Sequence, residues 1–345
     1  SSMTRWRNRI GEEGVEWLLT ETIRAGQRAG TVQDDHLKKV TVDTTVMEKN
    51  IAHPTDARLY ETARRKLVGL AREAGIELRQ NYNRLAPRLC GQVGRYAHAR
   101  QFKRMRKALR RLKGYTGRVL RDIERQLDRV AEGALKARLQ DLLALVNRLL
   151  AQKPNDRNKL YSLHEPAVDC ISKGKAHKRY EFGTKVTVAT TTEGGFVVGM
   201  RALPGNPYDG HTLHEALEQV EILTDRRPQM AFVDRGYRGH GVDHVKVFIS
   251  GARRGVTRTI ARLLRRRSAI EPMIGHLKND GRLTRCPLKG TEGDALFAVL
   301  CGCGHNIRMI LRHLRVILRQ LVWLIALLRE CVPRVGCHQE PQIAA

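Results

Sequence analysis

The chain is 345 residues long and carries 63 Lys and Arg against 35 Asp and Glu, a formal net charge of +28. That length allows about two domains and a substantial core, and a hydrophobic content of 41% excludes a disordered or collagen-like chain. A cationic surplus of this size argues against an enzyme of small neutral metabolites and for a polyanionic partner, either nucleic acid or an anionic membrane surface.

In chain order, residues 1–36 read as helical, with Trp17, Leu18, Leu19 and Ile23 on an apolar side. Lys39-Val-Thr-Val-Asp43 alternates like a strand and runs into Thr44-Thr45. Helical periodicity then covers residues 56–150. Leu67, Leu70, Ala71 and Ala74 mark one face, and Leu135, Leu139, Leu142, Val146 and Leu149 recur at steps of four and three, as in a packed helical hairpin. Within that section Arg100–Arg118 holds nine Lys or Arg and no acid, Arg104 and Arg110 among them. Like charges one turn apart repel, so an uncompensated run exceeds what solubility requires and predicts phosphate contact. Lys153-Pro-Asn-Asp closes the section as a breaker cluster.

Strand character returns over Phe182–Thr191, and Gly194-Gly195 turns the chain into a second strand through Leu203. The basic loop before it, with Lys173, Lys175, Lys178 and Arg179, reads as a contact to DNA backbone or as a solvated loop. After the Gly- and Pro-rich loop Pro204–Gly210, Thr212 and Glu215 read as a capping box for a helix through Leu223. Asp209 and His211 in that loop read as turn formers with a supporting role at a site. Strands follow at Met230–Asp234 and Val245–Ile249. A single arginine-rich helix is predicted from Thr257 to Lys278, and another helix over 292–329. Arg253–Arg267 holds seven Arg and no acid.

A membrane span is not expected. The apolar run Leu321–Leu328 is fenced by Arg319 and Arg329 and falls far short of the ~20 residues a spanning helix needs. No signal peptide is visible, and seven scattered cysteines suggest reduced thiols in a cytosol-like compartment. Cys301, Cys303 and His305 have the look of a metal motif but lack a second ligand pair of finger spacing, so helix packing is the simpler reading.

With the helical section 56–160 set aside, the order is strand, two hairpin strands, helix, strand, strand, helix. That order predicts a ribonuclease-H-like α/β sheet interrupted by a helical insertion. The segments would be 1–36 (a helical N-terminal segment, which the resemblance described below implies is the remnant of a DNA-binding region), 37–55 with 161–285 (catalytic domain), 56–160 (basic insertion) and 286–345 (helical end and tail). The first and fourth strands then lie side by side and bring Asp43 and Asp234 together. Paired carboxylates repel unless a cation lies between them, and hard oxygen ligands select magnesium or manganese. Glu271 on the arginine-rich helix is the candidate third acid. On a straight helix Arg267 and Lys278 share its stripe, although the same stripe also reads as a surface ion-pair row.

The strings Val42-Asp43-Thr44-Thr45, Val233-Asp234-Arg235-Gly236-Tyr237 and Arg267-(x3)-Glu271-(x6)-Lys278 resemble the signature of acid-triad (DDE) insertion-sequence transposases. Ser162–Pro166, Gly174–His177, Tyr180–Gly183, Gly205–Leu213 and Ile270–Lys278 are similar to the insertion-sequence family five group. The resemblance runs from Arg5 to Arg312. It implies Asp43, Asp234 and Glu271 as catalytic, metal-binding residues with two Mg2+ or Mn2+ ions. It also implies Arg267 and Lys278, with Arg235 beside Asp234, as DNA contacts. The implied partner is double-stranded transposon-end and target DNA, held by a homodimer or larger assembly on the nucleoid in a bacterial cytoplasm. Two departures stand out. Leu264 occupies the position where the family signature has tyrosine, and Ser1 lies almost at the Arg5-Trp6-Arg7 segment that usually follows an upstream DNA-binding region. A metal-dependent nuclease or resolvase of the same fold, or an inactive truncated DNA-binding remnant, would share most of these features.

Overall fold

The computed structural model describes residues 2–172, 179–252 and 255–331. Helix α1 (Ser2–Arg28) is broken at Gly11, whose φ of 62° and ψ of −170° leave the helical region. A short helix α2 (Asp34–Leu37) leads into strand β1 (Lys39–Lys49). Val40, Val42 and Met47 are buried, and so are Thr41, Thr44 and Thr45. A strand inaccessible along both faces is a central strand, and β1 is longer than the alternation at 39–43 predicts.

Four helices follow: α3 (Asp56–Glu73), α4 (Leu85–His98), α5 (Phe102–Glu124) and α6 (Ala134–Ala151). Their apolar faces close on one another through Leu67, Leu89, Leu112, Ile123, Leu139 and Val146, a core separate from the one beneath the sheet. The α5 stripe leaves Lys103, Arg104, Lys107, Arg110 and Arg111 facing solvent.

The chain then returns through β2 (Asp169–Ile171), β3 (Glu181–Thr191) and β4 (Val197–Leu203) to helix α7 (Asp209–Thr224) and strands β5 (Met230–Val233) and β6 (Lys246–Ile249). The remaining elements are α8 (Arg258–Arg266), α9 (Ile270–Asn279), β7 (Arg285–Cys286) and α10 (Gly290–Cys331). Together the strands make one mixed sheet. β3 is antiparallel to both β1 and β4, whereas β1, β5 and β6 run parallel. β2 extends the outer edge of β3, and β7 pairs with the far end of β1 at Glu48 and Lys49. Among the described residues the architecture is therefore mixed α/β. Gly183 is required where β3 crosses β1, because a Cβ there would lie 2.0 Å from the Met47 carbonyl oxygen.

Two local expectations are corrected. The predicted single helix from Thr257 to Lys278 is two helices joined by a 3-10 turn at Arg267–Ala269. The reason is Pro272: it has no N–H for a continuous helix and crowds the carbonyl four residues back, but it is well suited to a first turn. The predicted capping box at Thr212 does not form either. α7 begins earlier, at Asp209, and the Thr212 hydroxyl donates to the Asp209 carbonyl from inside the first turn at 2.8 Å. Tyr208 is the extended residue before the helix, and the Asp209 carboxylate lies at the positive end of the helix dipole.

Candidate active site

The β1–β5 register sets the geometry. Thr41 is opposite Phe232 and Val40 opposite Ala231, so Asp43 and Asp234, each two residues further on, stand at one level of adjacent parallel strands. β5 ends at Val233, while β1 continues against β3 as far as Glu48. Asp43 thus lies in the middle of a strand rather than at its end, at the point where its neighbour departs. The gap becomes a cleft lined by Asp43, Thr44, Lys185, Tyr208, Asp209 and Asp234.

Each carboxylate has fixed partners. The Thr44 N–H donates to Asp43 Oδ1 at 2.7 Å. Asp234 caps the 3-10 turn Arg235–Tyr237, accepting from the Gly236 N–H at 2.8 Å. Gly236 has no alternative side chain here, since a Cβ would lie 3.0 Å from Asp234 Oδ1 and 3.4 Å from Asp209 Oδ2. Asp209 is the residue that sequence reasoning undervalued. Its Oδ1 accepts from the Thr44 hydroxyl at 3.2 Å and from Lys185 Nζ at 2.9 Å, and Lys185 also donates to the Pro207 carbonyl at 2.6 Å. The loop acid read as a turn former is tied directly to the residue after Asp43. The Asp-Gly-His-Thr string drew attention to the position, whereas nothing local in a β-strand marks Lys185 as its counterion.

Beneath the cleft Tyr237 is fully buried. Burial pushes its hydroxyl well above the usual phenol range, and the charges of Asp43, Asp209 and Asp234 push it further. The charges of three carboxylates therefore act on one hydroxyl.

Glu271 approaches from the first turn of α9. Arg267 links it to the cleft: its guanidinium is 3.7 Å from Asp43 Oδ2 and 3.7 Å from Glu271 Oε1, with 12% of the arginine side chain exposed against 69% for the glutamate. The expected stripe neighbour Arg267 thus faces the acids across the 3-10 turn. Lys278 is half-buried at the end of α9. Arg235 is exposed, its guanidinium lying over Gly251, where a Cβ would come within 2.8 Å of it. Arg104 and Arg110 lie on the exposed side of α5, where Lys107, Arg110, Arg111, Tyr115 and Arg118 line a shallow groove remote in sequence from the acids. Lys173 and Lys175 lie outside the described residues.

The donor set has the chemistry a hard divalent cation needs: carboxylate oxygens, a neighbouring hydroxyl and no soft ligand. Among the described residues no three His, Cys, Asp or Glu side chains converge tightly enough to enclose an ion. Arg267 and Lys185 supply the positive charge beside these acids. Cys301, Cys303 and His305 pack within α10. Burial pushes both thiols up to about 12 and holds His305 down at about 4, its Nε2 lying 3.2 Å from the Gly195 carbonyl oxygen. No helix among the described residues is long and apolar enough to cross a membrane.

Residues 163–248 match the family model described as a transposase DDE domain. The matched stretch contains Asp209 and Asp234 but neither Asp43 nor Glu271. An uncharacterized protein of Rhizobium meliloti, ORF8 in the nfe locus, is 54% identical over 102 residues, covering 30% of this chain and 49% of that protein. The chain thus spans about half the length of this curated relative. No solved structure matches the chain. The part of the chain that forms β3 to β5 and carries Asp234 is similar to a transposase DDE domain.

Proposed function

We propose that the chain is a DNA transposase of the acid-triad type, in which Asp43, Asp234 and Glu271 on a ribonuclease-H-like sheet hold two magnesium or manganese ions. The observation that carries this reading is the β1–β5 register, with Asp43 and Asp234 at one level of adjacent parallel strands and facing one cleft. The strand order β4-β3-β1-β5-β6 supports the ribonuclease-H-like reading, and the separate core of α3–α6 supports a helical insertion at 56–160 within a catalytic domain formed by 37–55 and 161–285. Membership of the insertion-sequence family five group is part of the same proposal.

In this reading Asp43 and Asp234 are the fixed oxygen donors, and Glu271 completes the set from α9. Bound divalent ions supply activation of a water or DNA 3′-hydroxyl and neutralise charge at the attacked phosphate. Thr44 and Lys185 hold Asp209 against β1, which keeps the cleft wall in register with Asp43. Arg267, already beside Asp43 and Glu271, is a guanidinium at hand for the DNA phosphate on which these acids act. Arg235 and Lys278 would serve as further DNA contacts in this reading, and so would Arg104 and Arg110 on the cationic face of α5. Such contacts position DNA but do not read its sequence. Two or more protomers would hold the paired ends.

The test uses the full chain with labelled duplexes that bear the ends of its element, with and without Mg2+. Asp43→Asn, Asp234→Asn and Glu271→Gln should each reduce cleavage and strand transfer by at least ~1,000-fold while leaving end binding within about threefold of wild type. Metal-dependent cleavage by Asp43→Asn at the wild-type rate would overturn the assignment.

A further inference from the structure

The two halves of α10 differ in kind. Up to Asn306 the helix is built into the main core, with Leu296, Ala298, Val299 and Asn306 all nearly inaccessible. Beyond it, Ile307, Leu311, Leu314, Leu318, Leu321 and Ile325 are all between 44% and 61% exposed. They recur at steps of four and three in strict alternation, the a/d spacing of a coiled-coil seam. At 100° per residue they occupy an arc of about 80° along roughly 27 Å of helix. Ile317 and Leu324, also exposed, widen the strip on one flank. The other flank carries Arg312, Arg315 and Arg319, and no acid occurs between residues 295 and 329.

An apolar strip of this shape has no use for phosphate, so the DNA of the preceding reading does not cover it. Residues 332–345 offer only Val332, Val335 and Ile343 as large aliphatic side chains, too few to fill the strip. A heptad seam is by contrast complementary to itself under two-fold symmetry. Covering the exposed half of eight aliphatic side chains removes about 80 Å² each, or ~650 Å² per protomer. The pair would bury ~1,300 Å² in all, inside the range of stable interfaces.

We infer that the 307–325 face of α10 is an interface between two copies of this chain, paired as a two-stranded coiled coil independently of DNA. The cationic flanks of the two helices repel each other at low ionic strength, so added salt tightens the dimer by screening them. A pair bridged by DNA would respond in the opposite direction.

Sedimentation equilibrium of the nuclease-treated full chain at micromolar concentration tests this. Wild type should sediment at twice the chain mass of 39.1 kDa, and more completely so as salt rises. Leu318→Asp with Leu321→Asp should give the single mass, with a dimer dissociation constant raised by about 100-fold or more. The variant should still show the circular dichroism and a cooperative thermal transition of a folded body, because neither side chain packs into the core of its own chain. Trp323→Gln, on the opposite side of the helix and 66% exposed, should leave the dimer intact. Wild type at the single mass at tens of micromolar, a double variant that stays paired, dissociation by Trp323→Gln, or dissociation by salt would each overturn the inference. None of these outcomes bears on the acid triad, which is read by cleavage.

Discussion

Replacing Lys49 by Met should destabilise the protein far more than an ordinary lysine substitution. Lys49 ends β1, and 2% of its side chain is exposed. Its ammonium is 2.7 Å from Asp294 Oδ1 and 3.2 Å from Glu165 Oε2, and it donates to the carbonyls of Leu288 and Gly290 at 3.1 and 3.0 Å. Both carboxylates are buried, with Asp294 also accepting from the Thr184 hydroxyl and Glu165 from the Gly290 N–H. The cation therefore fastens the central strand to the exit of the helical section and to the start of α10. Methionine fills a similar volume, so the cavity term is small. What remains is a pair of buried carboxylates with no cation, which costs about 3–5 kcal/mol at neutral pH. At a few degrees per kcal/mol for a domain of this size, the transition should fall by roughly 6–20 °C.

The pH dependence separates this charge argument from simple misfolding. Burial opposes the charge on Lys49, but Asp294 and Glu165 outweigh it and hold the pKa above the ordinary lysine value. A folded pKa above the unfolded one means the wild-type contribution is complete at all pH values below ~10.5 and is lost only as pH rises past it. In the variant that loss at high pH should be absent, so its deficit should shrink as pH rises past ~10.5. Asp294→Asn in the Lys49→Met background should recover part of the loss at neutral pH. Guanidinium unfolding followed by circular dichroism measures all three proteins. A Lys49→Met deficit below ~1 kcal/mol at pH 7, or one that grows as pH rises past ~10.5, would refute the reasoning.

Three further outcomes follow from the same kind of accounting. Gly183→Ala should cost about 3 kcal/mol in denaturant unfolding, because its methyl group meets the Met47 backbone where β3 and β1 cross. His305, held down at about 4 by burial, is protonated in the unfolded chain before the folded one. Its contribution is intact above ~6.5 and is lost as pH falls towards ~4, by about 3 kcal/mol in all, and His305→Gln should flatten that slope in unfolding titrations. The thiols of Cys286, Cys301 and Cys303, pushed up to about 12 by burial, should resist maleimide at pH 8 until the chain unfolds, as read by mass spectrometry of labelled peptides.

Much of the architecture is legible in local pattern because long elements carry their own periodicity. The β-branched run at 182–191 and the leucine spacing at 135–149 announce a strand and a helix without reference to anything else. β2 and β7, of three and two residues, carry no such signal and exist only because β3 and β1 offer them an edge. The break between α8 and α9 was present in the sequence as Pro272, but the charged stripe of Arg267, Glu271 and Lys278 across it reads as continuous. At the candidate site the pairing of Asp43 with Asp234 was accessible through element order. The attachment of Asp209 to Thr44 and Lys185 was not, since those partners are 165 and 24 residues away and a turn acid looks the same whether or not it has one.

The amino-acid order alone thus settles the type of each long element, the positions of the acids along the chain and the cationic character that calls for a polyanion, since all of these are local or additive properties. Folding in three dimensions adds what is neither. β5 leaves the sheet one residue before Asp234 and opens a cleft against the middle of β1. Arg267 turns from a helix stripe towards Asp43, and Lys49 gathers two carboxylates from distant segments. The far half of α10 extends past the core, so that the same leucine spacing that elsewhere marks a buried face is left exposed. Burial and long-range charge pairing depend on which segments share space, and a linear pattern does not encode that distance.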